Sequence, residues 1–86
     1  MRIQLRYFAS LREALGAGET FEWADPPQPP TLGALRDHLA ARGGRHAQAL
    51  ARPRALRCAL DQTMRDESTP VHDGAEVAFF PPVTGG

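Results

Sequence analysis

The chain of 86 residues, 42% hydrophobic and 23% charged, has the composition of one soluble globular domain with a single modest core. Its formal net charge of zero argues against nucleic acid or an anionic membrane as the main partner, no apolar run is long enough to span a bilayer, and Met1 is followed by no signal-peptide h-region. There is no lysine, which excludes a Walker A phosphate loop and Schiff-base chemistry; a single cysteine, Cys58, excludes an internal disulfide and fits a reducing cytoplasm.

Residues 2–8 alternate, with Ile3, Leu5 and Tyr7 on one face and Arg2, Gln4, Arg6 and Phe8 on the other, the pattern of a strand with one face on a core. Residues 9–16 read as one or two helical turns with Ser10 as N-cap, Leu11 and Leu15 at i,i+4, and Gly16 as the stop. Thr20-Phe21-Glu22-Trp23 alternates again, at a spacing that suits pairing with the first strand. Asp25-Pro26-Pro27-Gln28-Pro29-Pro30 is a rigid spacer; its P-x-x-P arrangement is too short a signal to be taken as a ligand motif. Thr31 then N-caps the main helix, which runs to Arg42 with Leu32, Leu35 and Leu39 as its apolar stripe and Gly43-Gly44 as its end. A short helix over Arg45–Ala51 is expected before Pro53.

Ala55–Leu60 reads as a third strand, with Leu56, Cys58 and Leu60 facing one way and Arg57 and Ala59 the other. Asp61-Gln62 is a turn into a short strand, Thr63–Arg65. Asp73-Gly74 is a second turn signal, and Glu76–Phe80 is the last strand, with Val77 and Phe79 inward and Glu76, Ala78 and Phe80 outward. A mixed sheet with one main helix across a face buries all these apolar sets. Pattern alone sets an α+β roll, and a roll so arranged resembles the β-grasp, or ubiquitin-like, architecture. Residues 1–80 form this domain and 81–86 a tail.

Several residues stand out chemically. Phe8, Phe80 and Met64 fall on the sheet face away from the helix, and three apolar side chains there, beside the tail, read as a docking surface. Cys58 alternates with Leu56 and Leu60 and reads as core, where free cysteine behaves as a small hydrophobe. His38, His46 and His72 lack ligand spacing, so no metal site is expected. The arginines of residues 42–57, interspersed with alanine and leucine, read as a solvated face. No Ser-His-Asp elbow or Gly-rich phosphate fingerprint is present, so no active site is expected on the chain itself. Pro81 and Pro82 should end the last strand, and Gly85-Gly86 would form a thin, flexible tip presenting its carboxylate to a narrow site on another protein.

The run Asp73-Gly74-Ala75-Glu76-Val77-Ala78-Phe79-Phe80-Pro81-Pro82-Val83-Thr84-Gly85-Gly86 closely resembles the end of the small, sulfur-carrier subunits of molybdopterin synthase. Tyr7-Phe8-Ala9-Ser10-Leu11-Arg12-Glu13 resembles that family's opening strand and helical turn, and Gln62-Thr63 falls in a familiar place. The resemblance spans the chain in length and element order, with its specificity in the last fourteen residues. It implies a non-catalytic subunit of a sulfurtransferase complex acting in molybdenum cofactor synthesis in the cytoplasm. An adenylating enzyme related to ubiquitin-activating enzymes would use ATP to activate the Gly86 carboxylate, and a sulfur donor would convert it to a thiocarboxylate. The large synthase subunit would then take the tail and pass the sulfur to cyclic pyranopterin monophosphate, within a heterotetramer of two small and two large subunits. Gly85 would allow passage of the tail, while Phe8, Arg12, Met64, Phe80, Pro81, Pro82, Val83 and Thr84 would contact partners. No cofactor is expected on the chain itself. The rival readings are a sulfur carrier for thiamin or tRNA thiolation, a ubiquitin-like protein modifier, and a non-covalent interaction domain.

Overall fold

In a computed structural model, which describes residues 1–82, the first alternation becomes strand β1 (Arg2–Tyr7), with Ile3, Leu5 and Tyr7 buried. Helix α1 (Ser10–Leu15) follows, then β2 (Gly18–Glu22), which returns antiparallel on β1 with Ile3 opposite Phe21. Trp23 lies just past β2, its N–H donating to the Met1 carbonyl at 2.7 Å. The expected Ser10 cap is not used. Ala9 holds the N-cap position at φ 53° without a side-chain bond, because the Phe8 carbonyl already accepts from the N–H groups of Leu11 (3.1 Å) and Arg12 (3.4 Å). Gly16 does end the helix, its N–H donating to the Arg12 carbonyl. Gly18 is required where β2 begins: a Cβ there would lie 2.0 Å from the Leu5 carbonyl oxygen.

The main helix, α2, spans Leu32–Ala40, and Thr31 caps it as expected, Oγ1 accepting from the Ala34 N–H at 3.1 Å. Gly43, at φ 79°, separates it from α3 (Gly44–Leu50). Strands β3 (Arg57–Leu60), β4 (Thr63–Arg65) and β5 (Glu76–Phe80) complete a five-stranded sheet of order β2-β1-β5-β3-β4. Only β1 and β5 run parallel; the other pairs are antiparallel. This is the β-grasp arrangement.

Leu32, Leu35 and Leu39 pack with Ile3, Leu5, Tyr7, Trp23, Val77 and Phe79 in one core. Phe21, Leu56 and Leu60, expected inside, are only half-buried and pack against its rim. Phe21 sits on an edge strand, where its ring meets His38 at 5.5 Å and the Arg42 guanidinium at 6.0 Å. The core also takes Leu11, Leu50, Val71 and Ala75, which local alternation left unassigned. The proline-rich run is anchored rather than a plain spacer, since Pro30 is buried and its carbonyl accepts from the Val71 N–H at 2.7 Å.

The arginine-rich segment is not simply a solvated face. Arg42 pairs with Glu19 at 2.7 Å, and Arg52 pairs with Asp37 at 2.8 Å and with Glu67. More telling is Arg36, on α2 and only 3% exposed. Its guanidinium donates to the carbonyls of Leu50 (2.8 Å), Ala51 (2.7 Å) and Arg54 (2.7 Å), and to Glu67 Oε2 at 2.9 Å. It thus closes the C-terminus of α3 and ties it to the loop after β4.

Replacing Arg36 would strand those carbonyls in a buried site. Arg36→Met should lower unfolding stability by about 3 kcal/mol, read as a reduced urea midpoint. A midpoint within experimental error of the parent would show that the guanidinium is dispensable.

Candidate docking face and tail

The parallel register of β1 and β5 sets Arg6 beside Ala78 and Tyr7 beside Phe79. Tyr7 and Phe79 point into the core, so Phe8 and Phe80 emerge together on the open face. Their rings meet edge to face, centroids 6.4 Å apart. Phe8 is 48% exposed; Phe80 is half-buried. Across the sheet, Ala78 stands opposite Ala59 and Ala59 opposite Met64, which is 55% exposed. Met64 is therefore two strands from β5, about 10 Å away at normal strand spacing. Ala59 and Ala78 are each only 8% exposed and form the floor of a shallow apolar trough between the phenylalanine pair and Met64.

The same face is polar at its other end. Arg2 pairs with Glu22 at 2.7 Å, Thr20 Oγ1 donates to Gln4 Oε1 at 3.0 Å, and Arg6 lies 3.5 Å from Glu76. Apolar surface thus collects where β5 ends and the chain continues through Pro81 and Pro82, both half-buried and outside the strand. Arg12 is exposed one turn into α1, its backbone N–H held by the Phe8 carbonyl. The structure thus gathers Phe8, Phe80, Pro81 and Pro82 at one end of the face, with Met64 across the trough. Val83, Thr84, Gly85 and Gly86 lie outside the described residues. The two alanines were missed as site residues, although their outward register was legible from the alternation. Small side chains carry no chemical signal until larger neighbours are seen to stand above them.

Met64 is presented by the β3–β4 hairpin, whose turn residues Asp61 and Gln62 both adopt positive φ, 49° and 69°. That is the geometry of a two-residue primed turn, matching strand twist at a cost for residues other than glycine. Asp61 holds it in place: Oδ1 accepts from the Glu76 N–H at 3.0 Å and Oδ2 meets His72 Nε2 at 2.7 Å. The Glu76 N–H and His72 together pull the Asp61 carboxyl below its usual pKa, while the Asp61 carboxylate raises that of His72.

Other titratable groups are held out of chemistry. The Cys58 thiol is buried and donates to the Arg65 carbonyl at 3.2 Å; burial, with Glu67 and Asp66 nearby, pushes its pKa up. Its core assignment holds. Burial likewise pushes the Tyr7 phenol up to about 12. Among the described residues, no group of three or more His, Cys, Asp or Glu gathers to hold a metal, and no helix is long and apolar enough to cross a membrane.

Known proteins place this geometry in context. The model of the ThiS family matches residues 5–86. Over 84 residues the chain is 46% identical to the molybdopterin synthase sulfur carrier subunit of Escherichia coli, covering 98% of this chain and 99% of that one. It is 38% identical, with the same coverage, to the protein of that name from Haemophilus influenzae. Among solved structures, the Haloferax volcanii HVO 2177 protein aligns with TM-score 0.77 at 27% identity, covering 100% of this chain and 87% of that one. SAMP1 of Haloferax volcanii aligns with TM-score 0.72 at 21% identity over the whole of both chains, and at that identity it shows the fold alone.

The hairpin pair has a defined pH dependence. Because the pKa of His72 is raised from 6.5, its contribution is complete below 6.5 and is lost as pH rises through the folded value. Because that of Asp61 is lowered from 3.8, its contribution is present above 3.8 and is lost as pH falls through the folded value. The destabilisation caused by His72→Ala should therefore be larger at pH 5.5 than at pH 8.5 when denaturant midpoints are compared. An equal gap at both pH values would contradict the pairing.

Proposed function

The chain belongs to the ThiS family, and on that premise we propose that it is the sulfur carrier of molybdopterin synthase, working in the cytoplasm. The observation that carries this reading is the 46% identity, over nearly the full length of both chains, to a molybdopterin synthase sulfur carrier subunit. The complex of subunits 1 and 2 of molybdopterin-converting factor from Helicobacter pylori contains a chain of the same fold, at TM-score 0.66 and 24% identity, covering 100% of both chains.

The chemistry follows from what a carboxylate lacks. It is a poor acyl donor because its leaving group would be oxide, so activation must come from a partner that binds ATP. An oxygen of the Gly86 carboxylate attacks the α-phosphorus of ATP, pyrophosphate leaves, and an acyl-adenylate forms. Sulfur delivered at the sulfide level attacks the carbonyl carbon and loses its proton, AMP departs with the original oxygen, and a thiocarboxylate remains. The large synthase subunit then receives the tail and passes the sulfur to cyclic pyranopterin monophosphate. A dithiolene needs two sulfurs, hence two deliveries, which suits an assembly of two small and two large subunits. Gly85 and Gly86 offer no side chain to obstruct passage into two different enzyme sites. The Phe8–Phe80 pair, with Met64 and Arg12, would seat on these partners while Pro81 to Thr84 lead the tail inward. The sole cysteine is buried in the core, so sulfur held at the C-terminus needs no thiol of this chain.

Two experiments test the reading. Incubated with ATP, its activating enzyme and a sulfur source, the chain should gain mass by exchange of one oxygen for sulfur. The gain should map to the C-terminal peptide and vanish on deletion of Gly86. An unmodified mass would reject the carrier role, and a ladder of high-mass conjugates would favour a protein modifier. Separately, Phe80→Arg should weaken large-subunit binding at least about tenfold in calorimetry while leaving the thermal midpoint near that of the parent. Unchanged affinity would remove the aromatic pair from the interface.

A further inference from the structure

Most arginines of this chain are engaged internally. Arg2, Arg6, Arg36, Arg42 and Arg52 have carboxylate partners, and Arg54 Nε donates to the Gln48 carbonyl at 3.1 Å. Among the described residues, no ion pair or side-chain hydrogen bond engages the guanidinium of Arg57. It is exposed, and its position is specific. It is the β3 residue directly opposite Phe80, so its side chain shares the open face with the aromatic pair. The neighbouring rows of that face hold Ala59, Ala78 and Met64, and Asp66, which follows β4 in the row beside Arg57, turns its Oδ1 to the Ser68 N–H and hydroxyl rather than into an ion pair with it. The carboxylate on the same face of β5, Glu76, lies by Arg6 at the polar end. A cation with no ion-pair partner among the described residues thus stands at the rim of the apolar seat.

We infer that Arg57 is a partner-selecting residue of the docking face, set against a carboxylate that the large synthase subunit presents beside its seat for Phe8 and Phe80. This rests on the sulfur-carrier reading. The physical argument is charge complementarity at an interface rim. A solvated guanidinium adds little to final affinity but speeds encounter with an acidic surface and disfavours a basic one. Its reach is about 8–10 Å at ordinary salt, enough to act before the aromatic rings are seated. Steering needs only a positive charge and not the guanidinium's planar fork, so lysine should substitute for it, whereas a neutral side chain should not.

The test is stopped-flow association of the full chain with the large subunit at low and high ionic strength. At low salt, Arg57→Gln should slow association about threefold and Arg57→Glu about tenfold, with Arg57→Lys close to the parent and dissociation rates changed less than about twofold. At high salt the differences should close. Arg57→Glu associating as fast as the parent at low salt, or a deficit that persists unchanged at high salt, would overturn the assignment while leaving the carrier reading intact. Failure of the parent itself to bind the large subunit would instead strike the carrier reading, and this inference with it. Thermal midpoints of the variants should stay close to the parent, since the guanidinium makes no ion pair or hydrogen bond among the described residues to lose.

Discussion

The parallel pairing of β1 with β5 is the constraint on which the rest of the molecule depends. It joins the two ends of the described chain through the middle of the sheet, with Gln4 opposite Glu76 and Tyr7 opposite Phe79. Parallel neighbours need a long crossover, and here nearly all the intervening chain supplies it, carrying α2 across one face. Because the two strands run the same way, the residues that follow their buried aromatics emerge side by side. Phe8 meets Phe80 for that reason, and the chain leaves toward Pro81 and Pro82 at the same place. An antiparallel neighbour would have put the two rings at opposite ends of the sheet.

The second layer is held by a different kind of force. The leucine stripe of α2 supplies non-directional burial against the sheet, which would tolerate some sliding of the helix. Arg36 removes that freedom by taking the carbonyls of Leu50, Ala51 and Arg54 and the Glu67 carboxylate at once. Arg52 reaches the same Glu67, along with Asp37 and the Gly33 carbonyl. Hydrophobic contact thus gives the layer its stability, and a satisfied polar cluster fixes where it sits. The division suits a carrier. One side of the sheet is committed to a rigid core, leaving the other free to meet partners.

That open side divides along its length. Toward the start of β1, paired side chains such as Arg2 with Glu22 cover it; toward the end of β5, aromatic and methyl groups do. Burying such a trough against a partner removes apolar area from water without desolvating paired charges, which would be costly. Arg57 at the edge contributes through the field it projects. In the proposed role, chemistry at the tail and recognition at the face would be separate, so that the reacting group could be altered, activated and spent while the docking surface stays the same.

Much of this was legible in the residues themselves. Period-two alternation placed Ile3, Leu5, Tyr7, Val77 and Phe79 inside and Phe8 and Phe80 outside, because strand geometry fixes which face each side chain takes. Thr31 announced its helix through local capping chemistry, and the terminal motif pointed to its family. The cap of α1 went astray because a backbone carbonyl, rather than the Ser10 hydroxyl, satisfied the first donors. Phe21 misled because alternation tells face but not whether a strand is at the edge. Arg36 gave no signal, since an arginine beside leucines looks solvated until carbonyls from α3 and its following loop converge on it. What the sequence alone determined was the order of the strands and the face that each of their side chains takes. Only the tertiary structure decided that β1 and β5 are neighbours, that Phe8 touches Phe80, and that Arg57 stands opposite Phe80 with no ion-pair partner among the described residues. The reason is that facing is a property of the local backbone, whereas adjacency of strands whose partners, such as Gln4 and Glu76, are far apart in the chain is set by burial summed over the whole core.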